Sequence, residues 1–315
     1  MSCPFMKRDE IGACHVTEDV ESPSGDHNIA KELTYHDYLQ LDKILDAQTV
    51  KSDIPDEHLF IVTHQAYELW FKEIIYEIDV ARKVFMEEEV TSGKLMDVVN
   101  RFKRILLTLK LLTNQADILE TMTPFNFLQF RGGLFPASGF QSYQFRIMEI
   151  KLGLTMKERS RFEGTFKVGF KDQPKEVQAI IDAERETSLA TCLDRWFVSL
   201  LEKQKPHFDF VAKYKEGVDR MLQDMIDEAE AEENEEKRNE RKNGYKAKKN
   251  FYDSILHESV HNDRVMIMNR KLSHRAMLGA LMIFLYSKEP AFNLAHQFLH
   301  LLMDVDTWIV KWRGT

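Results

Sequence analysis

The sequence contains little cysteine, and its cysteines do not form a framework. Cys3, Cys14 and Cys192 are the three cysteines among 315 residues, and no two of them make a CxxC motif. An odd number without regular spacing argues against a disulfide scaffold and is typical of free thiols in a reducing compartment. We therefore expect a cytosolic protein.

Long apolar runs and clustered basic charge are also lacking. The N-terminal segment MSCPFMKRDE has no apolar core of the kind found in a signal peptide. The longest nearly unbroken apolar run, residues 276–286, is too short to cross a bilayer. The net charge of -8 argues against a general nucleic-acid binder, because phosphate contacts need clustered Lys and Arg. We expect neither a membrane nor a nucleic acid as a partner.

Glycine and proline are sparse, at 13 and 8 residues, and no stretch alternates apolar and polar residues between turns. This pattern argues against a β fold, because strands show that alternation and are joined by turns rich in these residues. With 43% hydrophobic residues the chain has enough apolar side chains for a core. The predicted fold class is all-α, with a single helical domain over residues 31–315. Residues 1–30 sustain no apolar period and are predicted to be a flexible N-terminal arm.

The clearest helical pattern lies in residues 57–85, where apolar side chains recur every three or four positions. They are Phe60, Tyr67, Phe71, Ile74, Ile78, Ala81 and Phe85. His64 falls on the same face. An imidazole within an aromatic stripe is a candidate functional group, and a core histidine with a backbone partner is the alternative.

Similar patterns predict further helices at residues 34–48, 94–122, 124–131, 140–152, 174–203 and 295–312. Thr123-Pro124 is a start signal for the short helix, with Thr as N-cap and Pro at the first position. Residues 155–173 are polar and are predicted to be irregular.

Charge is concentrated in one part of the chain. Seven of the ten residues 227–236 are acidic, and residues 237–249 are rich in Lys and Arg. Such a run predicts a solvated helix or a mobile hairpin, at about residues 225–250, stabilised by ion pairs one helical turn apart. Asn243-Gly244 is predicted to form a turn inside it.

Residues 257–261, HESVH, match the HExxH zinc pattern, in which two histidines share a helix face and the Glu acts as general base. A catalytic zinc needs a third protein ligand, and no suitable one follows in the sequence. A solvated helix face is the favoured interpretation, and we predict no catalytic zinc.

His296 and His300 form another pair at helical spacing, among apolar residues. A metal pair is one interpretation, but the apolar neighbours favour histidines of the core or of an interface.

Arg131 follows Phe127 by four residues and precedes two glycines and Leu134. An Arg in this position binds a carboxylate in bidentate fashion, or it neutralises the C-terminus of a helix. Together with His64, these residues suit a site for a small aromatic amino acid, with apolar walls, an anion clamp and a hydrogen-bonding group.

Several long segments resemble the tryptophan 2,3-dioxygenase family, over about residues 31–313. They are YHDYLQLDKILDAQ, FIVTHQAYELWFKEI, ETMTPFNFLQFRGGLFPASGFQSYQFRIMEIKLG, LSHRAMLGALMIFLY and LLMDVDTWIVKWR. The resemblance implies an all-α, cytosolic homotetramer that carries haem b (heme) with its iron. The implied reaction opens the indole ring of L-tryptophan with O2 to give N-formylkynurenine, the first step of the kynurenine pathway.

The resemblance also implies roles for individual residues on the substrate side. His64 matches the catalytic histidine that hydrogen-bonds the indole N–H, and Arg131 matches the residue that pairs with the substrate carboxylate. The residues that match the apolar walls are Phe60, Phe127 and Leu134.

Further matches concern the haem and the neighbouring subunit. Tyr35 and Tyr38 match tyrosines that reach the site from a neighbouring subunit. Ser138 and Gly139 match a loop over the haem, and Trp312 matches a residue beside it.

The sequence departs from the family at its end. In the family, a proximal histidine that ligates iron follows the KWR segment, whereas this sequence stops at Gly314-Thr315. No metal ligand is therefore assigned, and we expect the 315-residue chain alone to be largely haem-free and to have little dioxygenase activity. A catalytically impaired subunit of the same fold and a zinc hydrolase using HESVH are the alternatives.

Overall fold

The computed structural model describes residues 33–154, 174–268 and 272–314. The predicted arm at residues 1–30 and the polar segment at residues 155–173 lie outside the described residues. Contacts between Cα atoms divide the chain into two compact units, Met1–Gln48 and Thr49–Thr315.

Every regular element in these described ranges is helical, which confirms the predicted all-α class. The first unit contains α1, Tyr35–Leu39, and α2, Leu41–Leu45. The single helix predicted over residues 34–48 is therefore wrong. Gln40, between the two helices, is left-handed with φ 50° and ψ 48°, a conformation that interrupts a right-handed helix.

The second unit consists of longer helices, named here in chain order. They are α3 Asp56–Met86, α4 Ser92–Leu119, α5 Pro124–Arg131, α6 Tyr143–Leu152, α7 Pro174–Arg185, α8 Leu189–Gln204, α9 Phe210–Glu230, α10 Glu235–Leu256, α11 Glu258–Met268, α12 His274–Leu285 and α13 Pro290–Gly314. Within the described ranges, no helix is long and apolar enough to cross a membrane.

Two of the later helices differ from the predicted ones by more than a few residues. The helix expected over residues 174–203 is split into α7 and α8, because the Ser188 side chain caps α8 by accepting the N–H of Thr191 at 3.3 Å. The last helix begins at Pro290, earlier than the predicted start at Ala295. Proline is favoured in the first turn of a helix, where its missing N–H costs no hydrogen bond.

The core lies between α3, α4, α8, α12 and α13, with α13 packed on α4 and α8 packed on α12. Phe298 of α13 is fully buried, and its ring lies 4.9 Å from that of Phe102 and 5.2 Å from that of Phe85. Trp196 of α8 is 6.2 Å away. Aromatic rings at these separations contribute favourable contacts beyond simple burial.

Gly279 marks a close approach between α12 and α8. A Cβ added at this glycine would lie 2.8 Å from the carbonyl carbon of Phe197 and closer still to its oxygen. We expect Gly279→Ala to lower the free energy of unfolding by about 1–3 kcal/mol, as overpacking of a core does. Gly244→Ala is the control, because nothing lies within 4 Å of an added Cβ there. Gly244→Ala should stabilise α10 by about 0.5–1 kcal/mol. Urea unfolding measures both variants, and equal changes in the free energy of unfolding would contradict the close approach at Gly279.

The charged segment forms a helical hairpin of α9 and α10, which contact each other along their lengths. Arg241 of α10 pairs with Glu228 and Glu232 at 3.3 Å each. The turn predicted at Asn243-Gly244 is wrong, since both residues lie inside α10. The chain reverses before α10 instead, where the Asn234 side chain accepts the N–H of Lys237 at 3.1 Å and caps the helix.

A group of four charged residues joins α3, α6 and the end of α7. The Lys151 ammonium donates to Asp79 at 2.9 Å and to Glu186 at 2.7 Å. The Arg82 guanidinium donates to the same two carboxylates at 2.5 and 2.6 Å. Burial raises the pKa of the Glu186 carboxyl, but the hydrogen bonds and charges of Lys151 and Arg82 outweigh burial, and the pKa lies below its ordinary value.

This network should make the fold less stable in acid. Because the pKa of Glu186 is lower in the folded than in the unfolded chain, its stabilisation is complete above the unfolded value of 4.5 and is lost as the pH falls through the lower folded value. In urea unfolding from about pH 7 to about pH 3, Glu186→Gln should therefore flatten the decline in stability. Glu240→Gln, at an exposed position of α10, should leave the decline unchanged.

Candidate functional site

His64 lies in the first third of α3, on the aromatic face that the sequence predicts. Its Nδ1 is 2.7 Å from the backbone oxygen of Phe60. A carbonyl oxygen only accepts, so Nδ1 carries the hydrogen and donates it. In the neutral ring, Nε2 is then a hydrogen-bond acceptor. The backbone partner expected of a core histidine is present, and the half-buried ring still keeps an acceptor atom for a ligand.

Three phenylalanines in mutual contact lie next to this histidine, and Phe60 is the one whose ring contacts it. The Phe60 ring lies 4.0 Å from His64, 6.0 Å from Phe127 and 5.6 Å from Phe130. Phe127 and Phe130 are 5.6 Å apart, edge to face. The predicted wall residues Phe60 and Phe127 are therefore together, beside the predicted histidine.

His64 also contacts Tyr67, which belongs to a second group of aromatic rings. The Tyr67 ring lies 6.0 Å from His64 and 6.0 Å from Trp312, which is near the end of α13. Trp312 also contacts Phe71 at 5.1 Å and Phe145 at 4.7 Å, and the rings of Phe71 and Phe145 are 5.5 Å apart. Burial raises the pKa of the Tyr67 hydroxyl, which keeps it neutral. Trp312 is thus connected to His64 through one ring.

Hydrogen bonds join α5 and α4 to the first part of α3. Asn126 donates to the Asp56 carboxylate at 2.8 Å, and Gln115 donates to the backbone oxygen of Thr63 at 2.9 Å. Thr123 caps α5 by accepting the N–H of Asn126 at 3.2 Å, as the Thr-Pro start signal predicts. These bonds fix the segment that carries His64 relative to the helix that carries Phe127.

Arg131 is the last residue of α5 and is half-buried. Its guanidinium donates to the backbone oxygen of Ala137 at 3.2 Å. Within the described part of the chain, no carboxylate lies within ion-pair distance of it. Its position in the last turn agrees with the helix C-terminus interpretation, and its charge still lacks a partner anion there.

The loop after α5 carries the other predicted residues. Leu134 is half-buried and ends a short 3-10 turn, Gly132–Leu134. The N–H of Ser138 donates to the Gln141 side chain at 2.9 Å, and Gly139 is exposed at the start of the turn Gly139–Gln141. Tyr35 and Tyr38 belong to the first unit, where both are exposed on α1.

The HESVH motif does not lie on one continuous helix. His257 is an exposed, extended residue with φ -110° and ψ 118°, between α10 and α11. His261 is buried, and its Nε2 lies 3.1 Å from the backbone oxygen of Leu272. The shared helix face that the zinc pattern requires is therefore absent from this motif, and the prediction of no catalytic zinc stays a prediction.

Whether this site suits a haem depends on the side chains that would surround the haem and on the one that would be its axial ligand. Phe60, Phe127, Tyr67 and Trp312 provide aromatic surface suited to a flat macrocycle. An axial ligand is usually a His, Cys, Met or Tyr side chain. Among the described histidines, only His64 has ring contacts with this group, and its expected partner is the indole. The residue types of this aromatic group are therefore compatible with a haem, whereas no described side chain is assigned as its axial ligand.

Phe130 is a part of the site that the sequence did not single out. It is buried and contacts both Phe60 and Phe127. Its position three residues after Phe127 is the signal that would have found it, because residues at this spacing share a helix face.

Comparisons with known proteins agree with the resemblance found in the sequence. The sequence profile of the tryptophan 2,3-dioxygenase family matches residues 19–315. The tryptophan 2,3-dioxygenase of Aedes aegypti is 41% identical over 308 residues, which are 96% of this chain and 78% of the relative. The tryptophan 2,3-dioxygenase of Anopheles gambiae is 41% identical over 320 residues, which are 99% of this chain and 79% of the relative.

Proposed function

The chain belongs to the tryptophan 2,3-dioxygenase family, and from this premise we propose that it opens the indole ring of L-tryptophan with O2 to give N-formylkynurenine. The observation that carries the proposal is His64, whose Nε2 is left as an acceptor and whose ring lies 4.0 Å from Phe60, one of three phenylalanines in mutual contact. The haem, when bound, supplies the oxygen chemistry. The described residues bind and orient the amino acid.

Indole is flat and neutral, so most of its binding comes from apolar burial. Phe60, Phe127 and Phe130 form the aromatic surface for it, and Leu134, in the turn that follows α5, is the further apolar residue of the proposed wall. These rings also exclude water from the reacting ring, which favours oxidation over side reactions.

The indole N–H is a hydrogen-bond donor, and Nε2 of His64 is the acceptor that matches it. Because Nδ1 donates to the backbone of Phe60, the ring orientation and the tautomer are set before substrate arrives. His64 therefore orients the indole and need not act as a strong base. The substrate carboxylate is the anion that the half-buried Arg131 lacks in the described chain.

The other parts of the proposal follow the family. The cofactor is haem b, with Ser138, Gly139 and Trp312 beside it. The protein is a cytosolic homotetramer, in which Tyr35 and Tyr38 of one subunit reach the site of a neighbour. Their exposure on α1 agrees with such a role, because an exposed tyrosine is free to contact another subunit.

Turnover tests the proposal directly. Protein reconstituted with haemin is supplied with L-tryptophan and O2 under reducing conditions, and N-formylkynurenine is measured by chromatography. Product formation is the result that this proposal predicts, and it would contradict the expectation that the 315-residue chain alone has little dioxygenase activity. Protein that takes up haem and binds L-tryptophan but forms no product would indicate the catalytically impaired subunit instead.

The role of His64 has a test of its own. We expect the unchanged protein to bind L-tryptophan about two- to tenfold more tightly than 1-methyl-L-tryptophan, because one net hydrogen bond is worth about 0.5–1.5 kcal/mol. In His64→Ala this preference should disappear. Calorimetry with both ligands measures it, and a preference that survives the substitution would assign the indole N–H to another acceptor.

A further inference from the structure

His296 and His300 lie one turn apart on α13, and their rings converge. The two Nε2 atoms are 3.1 Å apart, the ring centroids are 4.4 Å apart and the ring planes meet at 79°. In this arrangement one Nε2 carries a hydrogen and the other accepts it.

The surroundings hold the pair at the surface. His300 is exposed and His296 is half-buried, so His300 does not lie in the core, and the expected alternative of interface histidines stays a prediction. The Phe284 ring of α12 lies 5.3 Å from His296 and 5.4 Å from His300, edge to face. Contact with this ring limits the freedom of both imidazoles while their Nε2 atoms remain near solvent.

The spacing of the two nitrogen atoms suits a shared metal ion. Bonds from Zn²⁺ to imidazole nitrogen are about 2.0–2.1 Å long. Two such nitrogens on one ion are then about 2.9 Å apart at a right angle and about 3.3 Å apart at the tetrahedral angle. The observed separation of 3.1 Å falls between these values. A small rotation of both side chains would aim the two lone pairs at one ion.

The HESVH motif has the same spacing and a different outcome. His257 is extended and exposed outside the helices, whereas His261 is buried with its Nε2 at the backbone oxygen of Leu272. Sequence spacing alone therefore does not distinguish the two pairs. Continuous helical backbone through His296 and His300 is what brings their nitrogens together.

We propose that His296 and His300 form a chelating site for a divalent first-row transition ion such as Zn²⁺. Water completes the coordination. On binding, the ring that carries hydrogen on Nε2 changes to its Nδ1–H tautomer by exchange with water, so both nitrogens become ligands. Neutral imidazole suits Zn²⁺, Cu²⁺ and Ni²⁺, whereas Mg²⁺ prefers oxygen ligands and is not bound here. The site is independent of the proposed oxidation of tryptophan.

Calorimetric titration of the full chain with ZnCl₂ at neutral pH tests the site, with and without haemin. We expect Zn²⁺ binding that either His296→Ala or His300→Ala weakens by at least about tenfold, because one imidazole loses the advantage of a second ligand already in place. His257→Ala should leave the affinity unchanged. Binding should also weaken as the pH falls, since only neutral imidazole is a ligand.

Two results would overturn the proposal. One is equal Zn²⁺ affinity in the unchanged protein and in both His296→Ala and His300→Ala. The other is loss of binding in His257→Ala alone, which would assign the ion to HESVH. Circular dichroism of each variant confirms that the helices are intact, and the exposed position of His300 makes that the expected result.

Discussion

Replacing Arg131 with alanine is expected to weaken the binding of L-tryptophan about ten- to a hundredfold and to leave the binding of indole nearly unchanged. The guanidinium is half-buried, and its described partner is the neutral backbone oxygen of Ala137. A hydrogen bond to a charged group is worth about 1.5–3 kcal/mol, which corresponds to that change in affinity. Indole has no carboxylate and does not use the interaction. Calorimetry on haemin-reconstituted protein gives both constants.

Arg131→Lys and Arg185→Ala are the controls for this experiment. Lysine keeps the charge but loses the planar guanidinium. The affinity of Arg131→Lys for L-tryptophan should therefore lie between that of the unchanged protein and that of Arg131→Ala. Arg185 also ends a helix, α7, and is exposed, so its removal tests the general effect of a cation at a helix C-terminus. Equal weakening of both ligands in Arg131→Ala would assign Arg131 to the fold.

The recurrence of apolar residues every three or four positions predicted the long helices well, because the residues that recur are the ones that a helix buries. The pattern in residues 57–85 corresponds to α3, Asp56–Met86, and it placed His64 on the correct face. The interruptions were missed because they depend on single backbone conformations. Gln40 is left-handed without being a glycine, and Ser188 caps a new helix inside an apolar stripe that continues across it. Neither changes the apolar period.

The sequence predicted several residues of the candidate site, but it did not predict which distant residues contact each other there. Phe60, His64 and Phe127 carry the signal themselves, because two of them share a helix face and the third lies in a short aromatic helix. The contact of Trp312 with Tyr67 and Phe145 joins distant parts of the chain, and no local pattern encodes it. Only the family resemblance placed Trp312 near the site.

An ion pair between the buried Glu149 and Arg313 holds the C-terminal end of α13, which carries Trp312, in place. Glu149 of α6 is 2% exposed and accepts from Arg146 at 2.8 Å and from Arg313 of α13. The Arg313 guanidinium lies 5.9 Å from the Phe145 ring, and that ring contacts Trp312 at 4.7 Å. The pair therefore fixes the end of α13 beside the aromatic group that leads to His64.

Glu149→Ala is expected to lower the free energy of unfolding by about 3–5 kcal/mol, because removing one partner of a buried pair leaves the remaining charge poorly compensated. Arg313→Ala should cost less, since Arg313 is partly exposed and Arg146 still neutralises Glu149. In urea unfolding, the double substitution should cost less than the sum of the single ones, because both remove the same interaction. Tryptophan fluorescence, compared with a Trp312→Phe background, should show a changed environment of Trp312 in Glu149→Ala. Additive energies together with unchanged Trp312 emission would mean that the pair does not position the end of α13.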